Sequence, residues 1–135
     1  MDTDETATRI ASTLRGEYPD SIFAVGWYDT NRSERTGAVY ISEDFEELTD
    51  RAPNVLREAL LESIGRELYE RLHNETLHCT ARIYDSLIDV DIPVTESAGV
   101  VIAISPDAGE QLMDIIDLTQ TITPTGLSTT PDVSA

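Results

Sequence analysis

The chain has 135 residues and a formal net charge of −17, because 26 acidic residues stand against nine basic residues, all of which are arginine. This balance leaves no basic surface for duplex nucleic acid or an anionic membrane, and no stretch reaches the roughly 18 apolar residues of a membrane span. We therefore expect no nucleic-acid partner and no membrane insertion. The single cysteine, Cys79, excludes an internal disulfide and favours a cytoplasmic location.

The first part of the chain predicts a helix followed by a β-hairpin. Apolar residues between positions 7 and 18 recur at helical spacing, and Asp2 with Glu5 forms a cap-like start. Residues 21–29 are rich in aromatic and β-branched side chains, which favour a strand. Five polar residues then lead to a return strand over residues 35–42.

Residues 53–73 predict the longest helix, with Pro53 at its first position. Its apolar residues repeat every four positions and occupy an arc of roughly 160°, so we expect this whole face to pack on a sheet. These residues are Leu56, Leu60, Ile64, Leu68 and Leu72. Gly65 lies inside the predicted helix, where it costs about 1 kcal/mol relative to alanine, and we expect it to permit close packing against another backbone.

Three further strands are predicted over residues 76–85, 87–95 and 99–105, joined by links short enough for antiparallel hairpins. The last of them is apolar throughout, as a strand buried on both faces would be. A final helix follows Ser105, which is its expected cap.

The predicted order is therefore α-β-β-α-β-β-β-α, an α+β fold with a five-stranded antiparallel sheet flanked by helices. We assign residues 1–122 to a single domain of this kind. Residues 123–135 are rich in threonine and proline and poor in apolar groups, which predicts a flexible tail.

The acidic residues are spread over nearly every predicted element and do not form one block. In molar salt the Debye length falls to about 3 Å, which largely removes the repulsion that otherwise destabilises a compact acidic protein. With no lysine and few aromatic residues, the composition resembles that of proteins from salt-accumulating haloarchaea. We interpret the charge as an adaptation to salt; the alternative is an acidic surface for one basic partner.

Asp89 and Asp91 are the first candidates for metal ligands. Alternation along a strand points both carboxylates to the same side, and with Asp85 they could hold a hard cation. Two carboxylates are a poor cage, however, so a solvent-facing acidic strand is the preferred interpretation.

His73, His78 and Cys79 are the second group of candidate ligands. They lack the further close pair that zinc sites use, and we expect His73 at the end of the long helix and Cys79 as a small core residue. We predict no metal and no cofactor. Because no nucleotide-binding loop or nucleophile elbow occurs, we also predict no enzymatic activity.

Trp27 is the residue that could line a ligand pocket between the sheet and a helix. An aromatic residue on a strand is more often part of the sheet core. A pocket at Trp27 would suit the alternative function, a small-molecule sensory domain of PAS or GAF type.

The element order, the hairpin over residues 21–42 and the apolar strand that runs directly into the last helix resemble the Roadblock family of dynein light-chain and prokaryotic GTPase-regulator domains. The resemblance covers about residues 5–122. It implies a non-enzymatic homodimer, in which the third strand and the long helix meet their symmetry mates, and a small Ras-like GTPase or a signalling complex as partner. Thr80→Pro is then expected to abolish the dimer, because proline removes a backbone donor. On this chain the interface would include Gly65, His78, Thr80, Arg82 and Tyr84.

Overall fold

A computed structural model describes residues 2–123 and confirms the predicted fold class, a five-stranded antiparallel sheet flanked by helices. The element order also agrees with the prediction, except that the second helix is divided in two. Apart from Thr123, the predicted tail lies outside the described residues. Within the described part, none of the helices is both long enough and apolar enough to cross a bilayer.

The helices and strands have the following bounds. The helices are α1 (Thr3–Glu17), α2 (Leu48–Ile64), α3 (Arg66–His73) and α4 (Leu112–Ile122), and the strands are β1 (Ile22–Asp29), β2 (Thr36–Ile41), β3 (Thr80–Ile83), β4 (Ile88–Pro93) and β5 (Ala98–Ile104). Short 3-10 turns over Glu43–Phe45 and Pro106–Gln111 precede α2 and α4.

Local capping starts both terminal helical segments close to the predicted positions. The backbone N–H of Asp2 donates to Oε1 of Glu5 at 2.9 Å, which closes the first turn of α1. Near the other end, Ser105 Oγ accepts a bond from the Asp107 N–H at 3.1 Å. This second cap starts the 3-10 turn that leads into α4.

The strands lie in the order β2-β1-β5-β4-β3, so β5 is central and β2 and β3 form the two edges. All seven residues of β5 are buried, as its continuous apolar sequence predicts. The chain passes from one edge of the sheet to the other through α2 and α3. This crossover leaves β3, four residues long, as an edge strand close to α3.

The sheet separates two apolar cores. On one face, α1 and α4 cover the larger core, to which β5 contributes Val100, Ile102 and Ile104. On the other face, α2 covers a smaller core that includes Val101 and, towards the start of α2, Ala103. Residues on this α2 face of the sheet also form the candidate site described below.

The predicted long helix is wrong in two respects. The helix α2 begins at Leu48, five residues before Pro53, because Leu48 is buried in the core beside Phe23 and Ala103. Gly65 ends α2, and α3 starts directly after it. As a result, the two helices do not present one continuous core-facing stripe.

Candidate functional site

A groove of about 450 Å³ lies on the α2 face of the sheet, between the helices and the β3 edge. We call it the Asp91 groove. Its helical wall comes from the end of α2 and from α3, and its floor and opposite wall come from β1, β3 and β4. The principal lining residues are Leu61, Glu62, Arg66 and Tyr69 on the helices and Tyr28, Thr80, Arg82 and Asp91 on the strands.

A hydrogen bond at the floor of the groove joins two strands that are not neighbours. The Tyr28 hydroxyl, on β1, donates to Oδ1 of Asp91, on β4, over 2.8 Å. The central strand β5 lies between them, and Gly99 stands opposite Tyr28 in the ladder. A Cβ at Gly99 would overlap the Tyr28 hydroxyl, so this strand position requires glycine for the ring to reach across.

The environment of Asp91 contradicts the interpretation of Asp89 and Asp91 as solvent-facing. Both side chains are half-buried on the α2 face. Burial raises the pKa of the Asp91 carboxyl to about 6, against the opposing effect of the bond from Tyr28. Burial also raises the pKa of Asp89. The pKa of the Tyr28 phenol is raised as well, by burial first and then by the negative charge of Asp91.

The arginines of the groove already have acidic or carbonyl partners within the chain. Arg82 forms an ion pair with Glu62, which ties β3 to α2. Arg66 lies 3.9 Å from a Glu70 carboxylate oxygen and 3.5 Å from the Glu96 carbonyl oxygen. These contacts hold α3 beside the sheet.

Three of the five residues predicted for a dimer interface line this groove. Gly65, Thr80 and Arg82 come together there, whereas His78 and Tyr84 are exposed before and after β3. The expected close packing at Gly65 is absent: a Cβ there would meet, among the described residues, only the Glu62 carbonyl oxygen at an ordinary 3.7 Å. Gly65 therefore acts as a helix terminus and not as a packing contact.

The helix α3 exposes apolar side chains that the sequence pattern assigned to the core. None of its residues is buried. Ile64, at the end of α2, is 67% exposed, and Leu68 and Leu72 on α3 are 53% and 70% exposed. We call Ile64, Leu68 and Leu72 the open helix face. The open helix face continues the four-residue repeat that begins with the buried Leu56 and Leu60. This is why the repeat predicted a single buried stripe.

The edge strand β3 presents backbone donors at the free edge of the sheet. The Tyr84 N–H donates to the Leu87 carbonyl oxygen at 2.8 Å. Because hydrogen-bonded positions alternate along an antiparallel pair, the N–H groups of Arg82 and Thr80 also point towards β4. Those of Ala81 and Ile83 consequently point outward from the sheet, so the backbone donor that Thr80→Pro would remove belongs to the ladder with β4 and not to the free edge.

Trp27 belongs to the core and does not line a pocket on the α2 face. Its side chain is 6% exposed and packs in the core that α1 and α4 cover. The Arg32 guanidinium lies 4.9 Å from its ring centroid, and Gly37 leaves room for the indole. The sensory interpretation therefore has no support at Trp27.

A second, smaller cavity of about 240 Å³ lies between the first half of α2 and the sheet. Small residues make much of its wall, among them Ala24, Gly26, Ala52 and Ala103. Asp89 lines this cavity and not the Asp91 groove. The two carboxylates of the Asp-x-Asp pair, Asp89 and Asp91, therefore line different cavities.

The remaining candidate ligands do not converge. Within residues 2–123 no group of three histidine, cysteine or acidic side chains is arranged to hold a metal ion. Cys79 is half-buried and packs against the larger core, and burial raises the pKa of its thiol. His73 lies in the last turn of α3, as predicted for a helix end.

Tyr28 is a member of the site that the sequence did not predict. Glycine inside a strand marks a close approach of another group, but Gly99 is the first residue of the predicted strand and lies inside β5 only in the structure, where the strand begins at Ala98. Which aromatic residue approaches, however, follows from the ladder register, which pairs Tyr28 with Gly99.

A comparison with protein families matches residues 8–123 to a family described as a domain of unknown function, DUF7522. No curated protein and no solved structure matches the chain. The matched segment extends from α1 to the end of α4 and includes the whole sheet and the whole Asp91 groove.

Proposed function

The chain belongs to the DUF7522 family, and we propose that it is a non-enzymatic, homodimeric protein-interaction module of Roadblock type that regulates or scaffolds a partner. The observation that carries this proposal is the open helix face. Three large aliphatic side chains, each more than half exposed, lie on consecutive turns at the end of α2 and along α3, the helices that lead to the edge strand β3. Exposed apolar groups in such a row mark a surface that a partner covers.

The edge strand supports a second copy as the partner at this surface. Strand β3 directs the N–H groups of Ala81 and Ile83 away from the sheet, and Ile83 is exposed. A symmetry-related β3 would satisfy these donors and join two sheets into one, while the open helix faces of the two copies would pack together. A two-fold dimer of this kind buries the same patch on both chains.

The molar mass in solution tests the dimer. In 2 M KCl, we expect light scattering after size exclusion to give twice the chain mass for the wild type. The double variant Leu68→Glu/Leu72→Glu should give the monomer mass, because it places charges at the centre of an apolar contact.

Met113 supplies the matched control, since it is 64% exposed on α4, on the opposite side of the sheet. The variant Met113→Glu should remain a dimer. A monomeric wild type, or a dimer that survives the double substitution with unchanged affinity, would contradict the proposed interface.

A small GTPase of the Ras type is the partner class that the Roadblock resemblance implies. Affinity capture from a halophilic archaeal lysate in molar KCl should then retain a GTPase, identified by mass spectrometry. The double variant Leu68→Glu/Leu72→Glu serves as the reference bait, because it tests whether capture depends on the dimer. Retention of no GTPase by the wild type would count against this partner class.

The cavity beneath α2 favours a second candidate, a small-molecule sensory domain. Its volume of about 240 Å³ and its mainly apolar wall, to which Arg51 and Asp89 add two charged side chains, suit a small, mainly apolar ligand. Native mass spectrometry of the freshly purified protein would reveal such a ligand as added mass that denaturation removes. A mass equal to that of the chain alone under both conditions would contradict this candidate.

A further inference from the structure

The Asp91 groove contains one carboxylate that forms no ion pair within the described chain, although Arg82 and Arg66 favour its ionised form from a longer distance. Arg82 is paired with Glu62, and Arg66 with Glu70. Across residues 2–123, no basic side chain lies within 4.0 Å of Asp91. Its one side-chain hydrogen bond comes from Tyr28, which donates a proton but carries no positive charge.

We infer that the Asp91 groove binds the basic head of a single lysine or arginine side chain presented by a partner protein. The carboxylate at the floor provides the charged acceptor, with Oδ1 held in place by Tyr28. A charge-assisted hydrogen bond of this kind is stronger than one between neutral groups.

The walls of the groove suit the apolar stem of such a side chain. Leu61, Tyr69, Leu77 and Pro93 line it together with the charged residues. Lysine and arginine place their methylene groups along apolar surface while the charged head reaches a polar group. The ring of Tyr69, itself exposed, offers a face to a cation.

A half-buried carboxylate without an ion-pair partner destabilises the folded chain, because burial removes part of its hydration. An incoming ammonium or guanidinium group would remove that penalty at the moment of binding. The bond between Tyr28 and Asp91, and the glycine that permits it, fix the acceptor in advance. Pre-positioned acceptors of this kind reduce the entropic cost of binding.

Charge complementarity favours another protein as the source of the basic group. A second copy carries the same net charge of −17, so the two chains repel each other and a protein of opposite charge is the better source. The groove also opens beside the exposed Tyr69 and Leu61, which a protein surface could cover and a free amine could not. Because the side chain belongs to the partner of the interaction module, this assignment rests on the proposed function.

Binding of blocked amino acids to the 15N-labelled protein tests the site. The probe is N-acetyl-lysine methylamide at pH 8, in the lowest KCl concentration that keeps the protein folded. We expect chemical-shift changes that cluster at Tyr28, Tyr69 and Asp91. The norleucine analogue, which has the stem without the charge, should bind about tenfold more weakly or not at all.

Two isosteric variants test whether binding of the lysine probe requires Asp91 in the groove or any carboxylate on β4. Asp91→Asn should weaken binding of the lysine probe about tenfold. Asp89→Asn, which removes a carboxylate two residues away in the other cavity, should leave the affinity within about twofold. Equal binding by Asp91→Asn and the wild type, or no localised shift with the lysine probe, would overturn the site.

The pH dependence of probe binding provides a further check. Binding should weaken as the pH falls through about 6, where Asp91 takes up a proton, and the probe should lower the pKa of Asp91, measured by carboxyl 13C shifts. The titratable and charged groups that act on Asp91 are Tyr28 on β1, Glu62 on α2, Arg66 on α3, Cys79 before β3 and Arg82 on β3. Affinity independent of pH between 5 and 8 would overturn the role of Asp91.

Putrescine distinguishes the source of the basic group. If putrescine binds more tightly than the blocked lysine, the groove is a site for free amines and the assignment to a protein partner is overturned. The proposed dimer and the proposed groove site can fail independently. A monomeric protein whose groove still binds the lysine probe would contradict the dimer but not the groove site.

Discussion

Tyr28 and Asp91 show how three residues far apart in the chain produce one polar feature. The bond crosses the central strand where Gly99 leaves space for the ring. Because Tyr28 is 1% exposed, its hydroxyl requires a buried acceptor, and Asp91 provides it. Burial at this position makes ionisation of the carboxylate less favourable than in water and raises its pKa to about 6, although the bond from Tyr28 opposes this shift.

The stability of Asp91→Asn should therefore depend on pH. In the folded chain the pKa of Asp91 is about 6, above its ordinary value of 3.8, so the ionised form destabilises the fold at higher pH. We expect the variant to be more stable than the wild type at pH 8, by about 1 to 2 kcal/mol once solvent screening in the open groove is considered. The difference should shrink as the pH falls from 6 to 4, where the wild-type carboxyl becomes protonated.

Urea unfolding in 2 M KCl, followed by the fluorescence of Trp27, measures this difference at pH 8, 6 and 4.5. Asp89→Asn is again the matched control, since burial also raises the pKa of Asp89 but Tyr28 does not contact it. A variant that is less stable than the wild type at pH 8 would show that the bond from Tyr28 to the ionised carboxylate outweighs the cost of burial.

At the scale of elements, β3 and α3 are held in place by few contacts and remain uncovered. The ion pair between Arg82 and Glu62 and the bond from the Leu77 N–H to Glu70 Oε2, at 2.9 Å, tie them to each other and to α2. No residue of either element is buried. Most of their apolar surface is therefore available to another chain.

Proline substitutions at two adjacent positions of β3 should have opposite consequences. Ala81→Pro removes an N–H that points outward, so it should abolish the proposed dimer and leave the fold intact. Thr80→Pro removes an N–H that points towards β4 and should lower the free energy of unfolding by about 1 to 3 kcal/mol. Thermal unfolding and light scattering on both variants give the comparison, and a dimer that survives Ala81→Pro would contradict pairing at this edge.

Sequence patterns predicted most elements, because capping residues, alternation and turn residues act over short distances. The buried strand β5 and the hairpin of β1 and β2 are examples. The same local pattern could not distinguish Leu60, which the sheet covers, from Leu68, which nothing in the described chain covers. That distinction depends on where α2 leaves the sheet, and Gly65 marks the point.

The dimer interface stays a prediction. Three of its residues, Gly65, Thr80 and Arg82, were chosen from the Roadblock resemblance, and the structure places all three in one groove. The depth of Asp91 in that groove is a long-range consequence of strand order and register. Alternation along β4 alone indicated which residues share a face, but not what covers that face.

At the scale of the whole molecule, acidic side chains are exposed on every described helix. Examples are Glu5 on α1, Glu58 on α2, Glu67 on α3 and Asp114 on α4. This distribution is consistent with the interpretation of the charge as an adaptation to salt, because it does not concentrate on one binding surface. The Asp91 groove is the local exception, since its carboxylate is half-buried.

The free energy of unfolding should consequently rise with KCl. Raising the salt from 0.1 M to 1 M shortens the Debye length from about 10 Å to about 3 Å, which reduces repulsion among the exposed acids. The variant Glu43→Gln/Glu46→Gln/Glu47→Gln removes three exposed charges before α2 and should show a smaller dependence on KCl. Urea unfolding at several KCl concentrations tests this, and a wild-type stability that does not change with salt would contradict the halophilic interpretation.

The separation of two cores by the fully buried β5 has a consequence for the order in which the protein opens. The layer of α2 and α3 covers the smaller core, and α3 contributes no buried residue. The layer of α1 and α4 covers the larger core and shares it with all of the three inner strands. Detachment of α3 and the end of α2 therefore exposes far less apolar surface than opening of the opposite side. Amide exchange should be fastest along α3 and β3 and slowest in β1 and β5, so the surface proposed for partners should also be the first part of the fold to open.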